Sequence, residues 1–158
     1  LTFALAHPDL TSSLTLIGSA GLGPEIDGTY LDGFVQARKR KDMKPHLEKL
    51  FSDPSLITRQ LVEDVLKFKR LDGVQDALAI VAEQLFPGGR QAAVLRDLLD
   101  RMPLPAQVIW GEEDRIIPPN HAHGLSDVLA THIVPGAGPM VQMEAPVEVN
   151  RLIRNLVG

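Results

Sequence analysis

IWGEEDRIIP, residues 109–118, is the most informative segment of this 158-residue chain. It joins a short apolar run, which ends at Gly111, to a loop that contains the carboxylate of Asp114. A short apolar run closed by a glycine is typical of a buried β-strand. In open α/β sheets, ligands and catalytic groups lie at the carboxyl ends of the strands. The segment therefore predicts a parallel sheet with Asp114 at its functional edge.

Two other apolar runs predict further strands of the same sheet. They cover residues 14–17 (LTLI) and 131–134 (THIV), and the strand of the first segment covers residues 106–110. Helical periodicity predicts flanking helices over residues 1–7, 120–129 and 147–157. Strands separated by helices favour a parallel sheet with right-handed crossovers. The predicted fold class is therefore α/β, with three parallel strands and flanking helices.

The middle of the chain, residues 24–102, shows almost no strand pattern. Helical periodicity predicts five helices there, over residues 30–41, 45–51, 56–71, 74–85 and 91–101. Basic and acidic residues balance in this part, so the net charge of −4 lies in the flanks. We therefore expect a core formed by residues 1–23 and 103–158, with an all-helical insertion over residues 24–102.

Composition excludes several classes of protein. The chain is 44% hydrophobic, which is enough for a core, but no apolar stretch approaches the ~20 residues of a membrane-spanning helix. It has no cysteine, so disulfides, thiolate metal sites and cysteine nucleophiles are absent, and the cytoplasm is the expected compartment. Its mild acidity argues against nucleic acid as a partner. Leu1 is not a natural start, and the first residues show no leader pattern, which suggests a fragment or a processed chain.

Three segments resemble the α/β-hydrolase superfamily. IWGEEDRIIP and HIVPGAGPMVQMEAP (132–146) resemble the last two strand–loop units of that domain. ALAHPDLTSSLTLIGSAGLGPEI (4–26) resembles the helix after the nucleophile elbow and the next strand. The helical middle is similar to the lid that members carry between those strands. The resemblance covers the whole chain but only the carboxyl-terminal part of the family's domain.

Within the superfamily, three segments of the lid and its entry are similar to the hydrolase-like domain of one subgroup. They are GLGPEIDGTYLDGF (21–34), FSDPSLITRQLVEDVLKFKRLDGV (51–74) and LFPGGRQ (85–91). The subgroup is the dihydrolipoamide acetyltransferase component of acetoin dehydrogenase complexes. The resemblance implies acyl transfer or hydrolysis of an ester or thioester, with a small acyl substrate. It implies no cofactor in this chain, although a lipoyl group can lie on a separate domain of the parent complex.

The resemblance also implies a Ser–His–Asp triad, of which this chain offers one member. Asp114 matches the acid, but Pro139 stands where the family has histidine, and proline has no nitrogen that can accept a proton. The G-x-S-x-G elbow is absent, and Ser19 follows the wrong strand. Gly21 and Gly23 match a loop that borders the family's substrate cavity. We therefore expect a chain that is inactive alone; the alternative is a non-catalytic module for assembly or ligand holding.

Other polar clusters are interpreted as surface features. His121 and His123 flank the acid loop, and their spacing predicts a helix start that faces solvent rather than a catalytic or metal-binding pair. No metal site is predicted. The four cations RKRK at residues 38–41 are expected to form a solvated helix end. The strand at 14–17 lacks the neighbour that a whole domain supplies, so we expect a homo-oligomer through that edge or a longer parent chain.

Overall fold

A computed structural model describes residues 1–99, 102–125 and 129–158. Three strands form its sheet: β1 (Leu14–Ile17), β2 (Ala106–Gly111) and β3 (Ala130–Val134). They are parallel and lie in the order β1-β2-β3, with Leu14 opposite Ala106 and Gln107 opposite Ala130. The predicted α/β class with three parallel strands is therefore confirmed.

Eight α-helices are found among the described residues. They are α1 (Thr2–Ala6), α2 (Gly28–Gln36), α3 (Arg40–Glu48), α4 (Arg59–Lys69), α5 (Val74–Leu85), α6 (Arg96–Leu99), α7 (Val141–Glu144) and α8 (Pro146–Val157). Short 3₁₀ turns lie at Pro8–Leu10, Pro54–Leu56, Pro87–Gly89 and Pro119–Ala122. None of these helices is both long and apolar enough to cross a membrane.

The central strand β2 separates two parts of the core. All six of its residues are buried, because it has a strand on each side and packed side chains on both faces. Successive side chains of a strand point to opposite faces. Val108 and Trp110 accordingly pack in one cluster with Leu16, while Ile109 packs in another with Val149 of α8. The strand that leads into the segment 109–118 is therefore the most buried of the three strands.

The insertion has a small core of its own between α2, α3 and α4, formed by Ala37, Met43, Leu47, Val62 and Leu66. In residues 24–99 the structure shows helices, turns and one antiparallel bridge, between Glu25 and Arg90. The insertion boundaries at 24 and 102 stay a prediction. We call the described part of this helical insertion, residues 24–99, the lid from here on, as a name for its position only.

Several predicted helix boundaries were wrong. The helix expected over 30–41 is divided, because Ala37 is extended between α2 and α3. The one expected over 45–51 is the second half of α3, which contains Pro45. Two other expected helices are mostly irregular. Of 91–101 only Arg96–Leu99 is helical, and 100 and 101 lie outside the described residues. Of 120–129 only a short 3₁₀ turn forms, and 126–128 also lie outside them.

The run RKRK at residues 38–41 does not end a helix. Arg38 and Lys39 lie in the break, and Arg40 and Lys41 form the first turn of α3. All four are exposed, so their contact with solvent was predicted correctly. Their position relative to the helix was predicted wrongly. Cations in the first turn of a helix oppose the helix dipole rather than complement it.

Candidate functional site

The carboxyl ends of the three strands bring two loops into contact. Gly111 ends β2, and a Cβ atom built on it would lie 2.1 Å from the carbonyl oxygen of Gly138 and 2.4 Å from that of Ala137. The loop after β3 therefore crosses directly over the end of β2. The backbone N–H of Glu113 donates to the carbonyl of Ala137 at 2.9 Å, which joins the loop of Asp114 to the loop of Pro139.

Asp114 is buried, with 8% of its surface exposed, and both of its oxygens have partners. Oδ1 accepts hydrogen bonds from the backbone N–H groups of Ile116 (2.8 Å) and Ile117 (2.9 Å). Oδ2 accepts one from Nε1 of Trp110 (3.0 Å). Burial raises the pKa of Asp114, although these three hydrogen bonds favour its ionised form. The carboxylate therefore fixes its own loop and the indole beneath it.

Asp114 and Pro139 line the same cavity, of about 490 Å³, between the sheet edge and the lid. Most of the remaining wall is apolar and includes Tyr30, Leu50 and Met140. A Cβ atom built on Gly18, at the end of β1, would lie 3.4 Å from the carbonyl oxygen of Pro139 and 3.8 Å from Oδ2 of Asp114. At this position the chain presents a carbonyl and a pyrrolidine ring rather than an imidazole.

Gly21 and Gly23 lie on the loop after β1, outside the lining of this cavity. The N–H of Gly21 donates to Oε1 of Gln91 at 2.6 Å, and its carbonyl accepts from the N–H of Leu95 at 2.7 Å. Gly23 packs against His121, since a Cβ atom there would lie 2.4 Å from Nε2 of that ring. The backbone of Gly21 is thus hydrogen-bonded to residues 91 and 95, and the backbone of Gly23 packs against His121. Their predicted contact with substrate stays a prediction.

His121 does not face solvent, so that expectation was wrong. Only 5% of its surface is exposed; its ring meets the Trp110 ring edge-on at 6.3 Å between centroids, and Nε2 lies 2.8 Å from Oε2 of Glu25. The ring fits there because Gly23 has no side chain. His123 is exposed, as expected.

Glu144, which no sequence pattern singles out, joins the lid to the loop of Pro139. Its Oε1 accepts from the N–H groups of Ser52 (2.7 Å) and Asp53 (3.0 Å), and its Oε2 from the N–H of Gly138 (2.6 Å). Carboxylates that accept several backbone N–H groups form strong, charge-assisted bonds. The lid wall and the loop after β3 are therefore held together at one side chain.

The described residues contain no group of three or more histidine and carboxylate side chains that could hold a metal ion. Ser19, at the end of β1, donates through Oγ to the carbonyl of Ala20 at 2.9 Å. Among the described residues that line the cavity, Asp114 is the one carboxylate, and none is a serine or a histidine.

The parallel sheet, the acid loop after β2 and the helical insertion define the carboxyl-terminal part of an α/β-hydrolase domain. No protein-family model matches the chain. Its fold matches a meta-cleavage product hydrolase from Pseudomonas fluorescens IP01, with a TM-score of 0.83 and 22% identity over 99% of this chain and 59% of that one. It also matches 2-hydroxy-6-oxo-6-phenylhexa-2,4-dienoate hydrolase from a Rhodococcus strain, with a TM-score of 0.83 and 15% identity over 99% of this chain and 58% of that one.

Within that class, the chain is similar in sequence to the dihydrolipoyllysine-residue acetyltransferase component of acetoin-cleaving systems. It is 49% identical to the component from Pseudomonas putida over 96% of this chain and 40% of that protein. It is 36% identical to the component from Cupriavidus necator over 98% of this chain and 41% of that protein. The chain therefore spans about 40% of the length of these relatives. The resemblance expected from the lid segments is confirmed.

Proposed function

We propose that this chain supplies the lid and the acid loop of a domain for acyl transfer or ester and thioester hydrolysis, and that it does not turn over acyl esters by itself. One observation carries the proposal: Asp114 shares a cavity wall with Pro139, and its two oxygens are already bound by Trp110 and by two backbone N–H groups. A triad acid acts by orienting an imidazole. The expected position offers none.

A second candidate is a non-catalytic module that holds a ligand or takes part in assembly. The mostly apolar cavity beside Asp114 favours it, because an apolar cleft with a few polar groups is the usual form of a small-molecule site. In this version an acyl group lies against Tyr30, Leu50 and Met140 without reacting. A lipoyl arm on a separate domain of the parent complex is the proposed source of the acyl group. The proposed compartment of the protein is the cytoplasm.

Replacing Pro139 by histidine should raise p-nitrophenyl acetate hydrolysis no more than an exposed histidine elsewhere in the same loop does. The substitution restores a base, but a base needs a serine hydroxyl within hydrogen-bonding reach. Imidazole itself promotes slow hydrolysis, so the matched control is Pro135→His, in the same loop but exposed to solvent. Initial rates measured at equal protein concentration should agree for the two variants. A rate about tenfold higher for Pro139→His would mean that a serine of this chain does lie in reach.

The open side of β1 indicates how the chain assembles. Among the described residues β1 has one partner strand, β2, and the nearby Phe3 and Leu10 are exposed. Unpaired strand edges favour association. We propose that a second copy of the chain, or the rest of a longer domain, covers this edge. Size-exclusion chromatography with light scattering tests the first version, which a folded monomer across the concentration range would contradict.

A further inference from the structure

Two neighbouring cavities lie on the lid, far in sequence from the acid loop, where the start of α3 meets α4. They have volumes of about 440 and 330 Å³ and share two wall residues, Arg40 and Arg59. The larger cavity is lined by Arg40, Arg59, Glu63, Leu66, Lys67 and Arg70. The smaller is lined by Arg40, Lys41, Lys44, Ile57, Arg59 and Val62. We call the two together the basic cleft.

The walls of the basic cleft contain six cations and, among the described residues, one carboxylate, Glu63. That carboxylate is shared: Nε of Arg59 lies 2.8 Å from Oε1, and Nη1 of Arg40 lies 3.6 Å from it. The hydrogen bond from Arg59, with the charges of Arg40 and Lys67, holds the pKa of Glu63 below its usual range. One negative charge cannot neutralise this many cations, although the chain as a whole is acidic, at −4.

Two of the other cations have carboxylate neighbours on their own helices. Lys44 lies 3.4 Å from Glu48, and Lys67 lies 3.5 Å from Asp64. These pairs are exposed to solvent, where ion pairs contribute little and exchange readily with water or a ligand. Their lysines therefore remain able to contact an anion in the cleft.

The position of the arginines adds to the excess of positive charge. Arg40 is the first residue of α3, and Arg59 is the first residue of α4. The amino-terminal end of a helix carries partial positive charge, so cations there are unfavourable unless a negative group offsets them. Glu63 pairs with both arginines and offsets part of this cost, and the remainder is unfavourable in the empty protein. A bound anion would relieve it.

We propose that the basic cleft binds a small ligand with two linked phosphate groups, one in each cavity, with Arg40 and Arg59 between them. The planar fork of a guanidinium group fits phosphate oxygens in a bidentate manner, which a lysine cannot match. The two cavities offer places for two phosphates that share the arginines. The acidity of the rest of the chain disfavours a long polyanion such as nucleic acid. This proposal does not depend on any acyl chemistry at Asp114.

Isothermal titration calorimetry of the 158-residue protein with inorganic pyrophosphate and with ADP tests the proposal. Both probes should bind at low salt and more weakly as salt is raised. Arg40→Gln and Arg59→Gln should each weaken binding about tenfold, because each removes a charge-assisted bidentate contact. Both side chains are more than half exposed, so neither change should disturb the fold, which circular dichroism checks. Tighter binding of ADP would assign the cleft to a nucleotide, and equal binding to pyrophosphate itself.

The matched control is Arg151→Gln, which removes one charge from an exposed arginine on α8, paired with Glu148 at 2.5 Å. It should bind both probes like the unchanged protein. The proposal is overturned if neither probe binds at concentrations up to about 10 mM. It is overturned equally if Arg151→Gln weakens binding as much as the two cleft variants do, because binding of the probes would then not depend on the cleft.

Discussion

Replacing Gly111 by alanine should lower the free energy of unfolding by more than about 4 kcal/mol, a loss that single substitutions seldom cause. The new Cβ atom would lie 2.1 Å from the carbonyl oxygen of Gly138 and 2.4 Å from that of Ala137. Both are backbone atoms, so no side chain can rotate away to make room. The loop after β3 would have to lift off the end of β2, and the bond between Glu113 and Ala137 would break.

Urea denaturation measured by the fluorescence of Trp110, the single tryptophan of the chain, gives the stability directly. The matched control is Gly136→Ala in the same loop, where nothing lies within 4 Å of the new methyl group but φ is +68°. It should cost only about 1 kcal/mol, for the left-handed backbone. Equal losses in the two variants would show that the loops do not cross as described.

The strands could be predicted because their signal is local. A buried parallel strand appears as a short apolar run with a glycine or proline at its end, and all three runs form strands within one residue of the expected bounds. The helix boundaries in the lid failed because contacts distant in sequence override periodicity. Gln91, for example, is held by hydrogen bonds to Gly21 and to the carbonyl of Glu25, so its segment does not coil into the predicted helix.

The candidate site was predictable only in part, for the same reason. The order of strands and loops, together with the family resemblance, placed Asp114 and Pro139 near each other. The burial of His121 depends on Gly23, and the role of Glu144 depends on Ser52, which is 92 residues away. Trp110 lies fully buried in the core, and its Nε1 also donates a hydrogen bond to Asp114. No pattern within a short window of sequence records such pairings.

Replacing Asp114 by alanine should lower the free energy of unfolding by about 2–4 kcal/mol. The change leaves the backbone N–H groups of Ile116 and Ile117 buried without an acceptor, and a buried unpaired donor costs about 1–3 kcal/mol. Trp110 keeps one partner, the carbonyl of Ile117 at 3.2 Å. Relief of the buried charge offsets part of the loss, since burial already raises the pKa of Asp114.

Two further variants distinguish a structural carboxylate from a general effect of charge. Asp114→Asn keeps an oxygen for the two backbone donors, but its NH2 group faces Nε1–H of Trp110, and two donors cannot form a hydrogen bond. The free energy of unfolding should therefore fall by only about 1 kcal/mol. Glu113→Ala, on the same loop but exposed and paired with the exposed Arg115, should change stability by less than about 0.5 kcal/mol. If Glu113→Ala proves as damaging as Asp114→Ala, the hydrogen bonds of Asp114 do not hold the loop.

We propose that Asp114 fixes a loop in this chain and supports no proton relay. The rate of p-nitrophenyl acetate hydrolysis by the unchanged protein and by Asp114→Ala, compared at equal concentrations of folded protein, tests it most directly. We expect the two proteins to have the same rate, no higher than the slow hydrolysis that their exposed imidazoles cause, while the variant loses stability. A rate above buffer that disappears in Asp114→Ala would contradict the claim, because it would require a serine and a histidine of this chain to act with that carboxylate.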